Sequence, residues 1–219
     1  MKNAGKVAKA EGKRRQATAQ RIIDAARILM IEQGSLEISL AEISQRAGTN
    51  IALVSYYFGN REGLMVALAE SDSQHALAGL QRLLAADLTP TEKIRIHISG
   101  MIDAYFARPY LHRLLQKLIR EGSPEASKKI GRYFHGPVAD ARRAIIEEGI
   151  RRGEFQDIEI ELVNFALDGA CAHIFSSVEA RRVLLGDGAL DRPLIDRYAR
   201  LVSRLIIGGL SAPPTPLPG

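Results

Sequence analysis

Between Ser39 and Asn60 the sequence has room for only two short helices and the corner that joins them. Ser39-Leu40-Ala41-Glu42 has the form of a capping box. In that motif the serine hydroxyl accepts from the backbone N–H three residues on, while the glutamate reaches back to the cap. It opens a helix over 40–47 that turns Leu40, Ile43 and Ala47 inward. Gly48 breaks that helix, Asn50 can cap the next, and 51–58 forms a second short helix ending at Gly59-Asn60. Two short helices meeting at a glycine turn make a helix-turn-helix, whose second helix can enter a major groove while the first crosses the backbone. Many bundles contain such a corner, so spacing alone does not assign a role.

The rest of the chain is helical in pattern as well. Ile22, Ile23, Ala26, Leu29 and Met30 recur at helical spacing, with Thr18 as the expected N-cap and Gly34 as the stop. From Arg61 the helices lengthen. Expected segments are 61–86, 92–107 and 110–121, then 125–152 kinked or divided at Gly136-Pro137, then 157–178 and 194–207. No β-alternation occurs, so the class is all-α. The predicted organisation is a basic flexible arm over 1–17, a three-helix helix-turn-helix domain over 18–60, a helical domain over 61–210 and a Pro-rich tail over 211–219.

Charge is unevenly spread. Lys2, Lys6, Lys9, Lys13, Arg14 and Arg15 stand against Glu11 alone, so this arm carries the entire formal charge of +5 while the remainder balances. A basic arm ahead of a neutral body suits a polyanion, with nucleic acid first and an anionic membrane surface second. Cys171 is the single cysteine, which excludes an internal disulfide and any multi-cysteine metal site. The longest apolar runs, such as 64–69, are too short to span a bilayer, and the expected setting is cytoplasmic.

The residue string at the corner is more specific than its spacing. Ile22-Ile23-Asp24-Ala25-Ala26, Leu40-Ala41-Glu42-Ile43-Ser44-Gln45-Arg46-Ala47-Gly48, Val54-Ser55-Tyr56-Tyr57-Phe58 and Arg61-Glu62-Gly63-Leu64 together resemble the DNA-binding domain of the TetR/AcrR regulators over residues 18–68. The resemblance implies a homodimer that reads a palindromic double-stranded operator and answers to a small-molecule effector. It places Thr49, Asn50, Ala52, Leu53, Ser55 and Tyr56 on the reading surface, with Tyr57 packing while touching the backbone. Arg61 and Ser39 would add phosphate contacts at helix starts, and Arg14 and Arg15 would reach the flanking backbone or minor groove. Many relatives carry Lys and Thr where this chain has Ile51 and Leu53. Leu53 can meet a thymine methyl, and Ile51 is read as packing.

In the C-terminal part, Leu162, Ala166, Gly169, Ala170, His173 and Ser177 share one side of their helix, and Tyr198, Leu201, Val202 and Leu205 recur along the last one. By resemblance these two helices from each copy form a four-helix dimer interface. His97, Tyr105, Asn164 and Asp168 are polar positions within apolar helices; with Met101, Phe134 and Phe165 they are the candidate effector contacts, each open to a core role instead. No cofactor or metal is implied. Cys171 and His173 point to different faces, and there is neither a Gly-rich phosphate loop nor a His-Glu-x-x-His signature, so catalysis is not expected. The competing reading is an all-α protein held on anionic membranes by its arm, indifferent to duplex sequence.

Overall fold

In the computed structural model, which describes residues 2–188 and 190–211 with side chains from residue 12 onward except His75, every regular element is a helix. In order these are α1 (Lys2–Gln33), α2 (Leu40–Arg46), α3 (Ile51–Phe58), α4 (Arg61–Ala85), α5 (Pro90–Ala107), α6 (Leu111–Arg120), α7 (Pro124–Ile130), a π-helical turn (Gly131–His135), α8 (Gly136–Arg151), α9 (Ile160–Ser176), α10 (Val178–Leu185) and α11 (Arg192–Ser211). They fall into two compact units. One holds the chain as far as Ser71 together with Arg113–Ile130; the other holds Asp72–His112 and the chain from Gly131 onward. The helical domain expected to begin at residue 61 therefore lends 61–71 and 113–130 to the N-terminal unit.

In the N-terminal unit α1, α2 and α3 pack on one another around Ile22, Ala26, Met30, Ile43 and Val54, all buried, with Leu64 and Leu68 of α4 and Leu114 and Leu118 of α6 also buried. Each of these Ile, Leu, Met and Val side chains contributes about 1.5–3 kcal/mol on burial. The arm differs from expectation. Helix α1 already begins at Lys2, so the segment before Thr18 is helical rather than flexible, and Thr18 is an interior residue rather than a cap. Its composition explains this: Ala4, Ala8, Ala10, Arg14, Arg15 and Gln16 favour helix, and no proline interrupts them.

In the second unit α5 packs against α11, α8 and α9. The core between them is Ile94, Ile98 and Ile102 of α5, Ile145 and Ile146 of α8, Leu167 and Cys171 of α9, and Ile195 of α11. Thr89 and Glu92 form a second capping box, with Pro90 in the first turn where its missing N–H costs nothing. Pro137, in the first turn of α8, likewise cannot donate to an upstream carbonyl, and the helix widens into the π turn just before it. At the far end of α8, the ring of Phe155 lies flush on Gly149: a Cβ there would sit 2.0 Å from Phe155 Cδ2. The Gly149 carbonyl also accepts from the backbone N–H groups of Glu154 (2.9 Å) and Phe155 (3.2 Å). The short α10, which periodicity did not reveal, follows α9 directly. The Pro-rich tail, from residue 212, lies outside the described residues.

Candidate functional site

Helix α2 starts from the expected capping box. The Glu42 N–H donates to Ser39 Oγ (3.1 Å), and the Glu42 carboxylate accepts from the Ser39 N–H (2.8 Å) and hydroxyl (2.6 Å). These bonds hold the Glu42 carboxyl below the usual range. Arg46 grips Glu32 of α1 through both terminal nitrogens, at 3.0 and 2.6 Å, so α2 is fixed to α1 at its end. Gly48 adopts φ +60°, which opens the corner, and the Thr49 N–H donates back to the Ser44 carbonyl (2.9 Å). Asn50 then caps α3 by accepting from the Leu53 N–H (2.8 Å).

Of the residues in α3 only Val54 is buried. Ala52 and Tyr56 lie on the open face, with Thr49, Leu53, Ser55 and Tyr57 partly covered beside it. The two tyrosines separate as their positions require: Tyr56 is 63% exposed, whereas Tyr57 is half-buried, meeting Tyr56 edge-on at 5.4 Å and Phe58 at 6.2 Å. Ile51, read as packing, is instead 47% exposed, because at the first position of α3 its side chain precedes the buried turn. Arg14 and Arg15 are both exposed on α1, and Arg15 reaches this surface. Arg15 donates to the Tyr56 hydroxyl and lies over its ring, 5.3 Å from the centroid.

Arg61 does not offer a free guanidinium to phosphate. It donates to the carbonyls of Leu36 and of Ile38 (3.0 Å) and pairs with Glu37 (3.4 Å), which fastens the loop between α1 and α2. The same loop is held from α6: Lys117 Nζ meets Glu37 at 2.6 Å, and Arg113 donates to the Gly34 carbonyl at 2.9 Å. Just beyond α6, Ser123 donates through N–H (2.8 Å) and hydroxyl (2.7 Å) to Glu62 in the first turn of α4.

The second unit gathers its polar residues on one arginine that sequence reasoning did not single out. Arg142 is 1% exposed. Its Nε donates to His97 Nε2 (2.8 Å), Nη1 to Asn164 Oδ1 (3.3 Å), and Nη2 to Met101 Sδ (2.9 Å) and Asp168 Oδ1 (2.6 Å). Four of the candidate effector contacts thus meet at a single guanidinium. Burial, reinforced by the Arg142 charge, pulls the His97 imidazole down to about 3, so it stays neutral and accepts. Burial pushes the Cys171 thiol up to about 12 and raises the Tyr105 phenol. His112 and His135 are both lowered by burial, with Asp168 pulling the other way. Tyr105 packs edge-on to His112 (5.7 Å) and against Phe175 (6.0 Å), and Phe134 packs on His135 (5.3 Å). A clue to Arg142 was present: it precedes the core residues Ile145 and Ile146 by three and four, which puts it on their face.

Phe165 is a correction. It is 78% exposed on the face of α9 away from Leu167 and Cys171, since it stands two residues from the one and six from the other, offsets that fall on the opposite side of a helix with 3.6 residues per turn. There it joins exposed Leu162, Ala166, Gly169 and His173, while α11 exposes Leu201 and Leu205. Val202 is the opposite correction: it is 3% exposed and belongs to the core, one position round the helix from Leu201. Ala170 and Tyr198 serve contact within the chain, the Tyr198 hydroxyl donating to the Ala170 carbonyl, and Ser177 Oγ lies 3.1 Å from His173 Nδ1. A mainly apolar groove of about 390 Å³ runs along Leu77, Leu80 and Leu84 of α4 and Tyr133, Pro137 and Ala141, with Gln81 and Asp140 also in its lining. No described helix is long and apolar enough to cross a membrane.

Residues 22–68 match the profile of bacterial regulatory proteins of the tetR family, and residues 87–215 match that of the tetracyclin repressor-like C-terminal domain. The regulator BetI of Brucella anthropi is 33% identical over 178 residues, covering 81% of this chain and 79% of that protein. A fatty acid metabolism regulator protein of Bacillus subtilis is 23% identical over 145 residues, 66% of this chain and 74% of its own length. The BetI of Paraburkholderia xenovorans matches over 95 residues at 30% identity, so the aligned part spans under half, 47%, of that relative. Among solved structures, FadR from Bacillus subtilis in complex with stearoyl-CoA superposes with a TM-score of 0.70 at 20% identity, covering 87% of this chain and 98% of that one. A TetR/AcrR regulator from Thermobifida fusca does so with 0.68 at 21% identity, over 87% and 97%.

Proposed function

The chain belongs to the TetR family of bacterial transcriptional regulators, and from that premise we propose that it is a cytoplasmic homodimeric repressor released from a palindromic operator by a small, mainly apolar effector. The observation that carries this reading is the seating of α3, which buries only Val54 and leaves Ala52 and Tyr56 open on a helix capped and clamped at its approach. A helix so presented can lie in a major groove with base edges in reach. Thr49, Asn50, Ala52, Leu53, Ser55, Tyr56 and Tyr57 form the reading surface, with Arg14 and Arg15 beside it and Ser39 at the start of α2. Two copies joined through the exposed faces of α9 and α11 would present two such surfaces.

The apolar groove and the core around Arg142 favour an effector with a hydrocarbon body, and the stearoyl-CoA complex of the Bacillus subtilis relative makes such compounds the first to test. The contacts of Arg61, Arg113, Lys117 and Ser123 tie the start of α4, the α1–α2 loop and α6 into one block, so a shift of α6 would be felt at the reading head. An operator selected from random duplexes, followed by anisotropy with and without acyl compounds, tests the reading. Selection that enriches no sequence would overturn operator recognition. Enrichment with no response to any ligand of the second unit would overturn the effector.

A further inference from the structure

Buried charge is costly, and a buried ion pair is weak support for stability because desolvation offsets its attraction. Arg142 sits in the apolar centre of its unit with three neutral partners, His97, Asn164 and Met101, and one anionic partner, Asp168. The two ends of that ion pair differ sharply: the Arg142 side chain is 1% exposed, that of Asp168 43%. The carboxylate that balances the buried guanidinium therefore stands at the edge of the core, engages Nη2, and can leave into water. Two imidazoles, His112 and His135, feel the Asp168 charge, and His135 feels Arg142 as well. His135 closes the π-helical turn, a distortion that recurs at functional sites, and its Nε2 is buried with no hydrogen-bond partner. A buried polar atom without a partner calls for one.

We propose that Arg142, Asp168, His112 and His135 form a headgroup site for a carboxylate carried on an apolar body, the ligand carboxylate replacing Asp168 at the guanidinium and accepting from His135 Nε2. A planar carboxylate matches the donor fork of arginine, and apolar surface is supplied by Tyr105 packed on His112, Phe134 on His135 and Met101 at Arg142. The proposal rests on the effector-responsive reading above and names the chemistry its effector must carry.

The test uses the full-length protein and calorimetric titration with straight-chain carboxylates of eight to sixteen carbons, the alcohols of the same lengths, and alkyltrimethylammonium ions, all below their micelle concentrations. The carboxylate is expected to bind about tenfold or more tighter than its matched alcohol, the scale of one charge-assisted contact. Asp168→Asn removes the competing anion and should tighten carboxylate binding several-fold relative to the matched alcohol. His135→Phe should weaken the carboxylate alone. Arg142→Met should abolish the preference, and Asp168→Asn keeps the test decisive if that variant does not fold. Equal affinity for acid and alcohol, preference for the ammonium ion, or no carboxylate binding at all overturns the site. Operator anisotropy separates the two readings: carboxylate binding that leaves operator affinity unchanged supports the site and overturns its effector role. Operator release without headgroup preference does the reverse.

Discussion

The Arg15 guanidinium rests on Tyr56, hydrogen-bonded to its hydroxyl and stacked over its ring, so a residue of α1 and the most exposed aromatic of α3 present one joint surface. A basic residue expected to reach the flanking backbone or minor groove is thereby attached to the reading helix. Arg15→Ala and Tyr56→Phe should each weaken operator binding by about 1–2 kcal/mol, and the double variant by less than the sum. A scrambled duplex should show smaller losses. Strict additivity in a double-mutant cycle on operator DNA would mean that the pair does not act together.

Arg61 spends its donors on the Leu36 and Ile38 carbonyls, and an ammonium cannot reproduce that fork. Arg61→Lys should therefore cost about 1–2 kcal/mol of stability in chemical denaturation, while the salt dependence of DNA binding stays as in the parent protein. A salt slope lower by about one, with stability intact, would reassign Arg61 to phosphate contact.

His97 gives the second unit a pH dependence whose sign follows from burial. In the unfolded chain a histidine takes up a proton as pH falls through about 6.5, whereas in the folded chain His97 does so only near 3. Between those values the unfolded state holds the extra proton. Stability is thus fully present above about pH 6.5 and is lost as pH falls toward 3, by up to about 1.4 kcal/mol per unit for this group. His112 and His135 shift in the same direction and steepen the loss. His97→Gln, which still accepts from Arg142 Nε, should flatten the fall between pH 7 and 5. An unchanged slope in urea titrations across that range would refute the assignment.

Phe165 leaves most of its ring in solvent beside exposed Leu162 of the same helix, and α11 likewise exposes Leu201 and Leu205. An apolar patch of this kind marks an interface. Phe165→Asp should shift the dimer to monomer in sedimentation velocity at micromolar concentration, with helical content retained. A dimer of unaltered affinity would place the interface elsewhere.

What could be read from the sequence was what local geometry determines. The Ser39 box and the Asn50 cap each join residues three apart, and both appear as expected. The helical run before Thr18 was silent because its alanines, lysines and arginines lack the apolar repeat by which an amphipathic helix is recognised. Arg142 escaped for a different reason. Beside Arg143, and five and six residues before Glu147 and Glu148, it stands in a charged stretch, and only the approach of α5 and α9 makes it a buried centre. The same approach converts Glu148 from a surface charge into the partner of buried Lys93, at 3.2 Å. For Phe165 and Val202 the periodicity offered two apolar stripes per helix without saying which one faces inward. Arg61 was misread because its partners, Leu36 and Ile38, lie more than twenty residues back along the chain.

The flush seat of Phe155 on Gly149 bears on how this gene tolerates mutation. Glycine codons all begin with two guanines, and every single-base change that alters the amino acid specifies one carrying a Cβ. At Gly149 that atom would fall on the Phe155 ring. An exposed position such as Lys128 accepts many codon changes in silence. Gly149 has no conservative neighbour in the genetic code, so natural variation in a population should be purged there even though the residue lies outside the proposed reading surface and headgroup site.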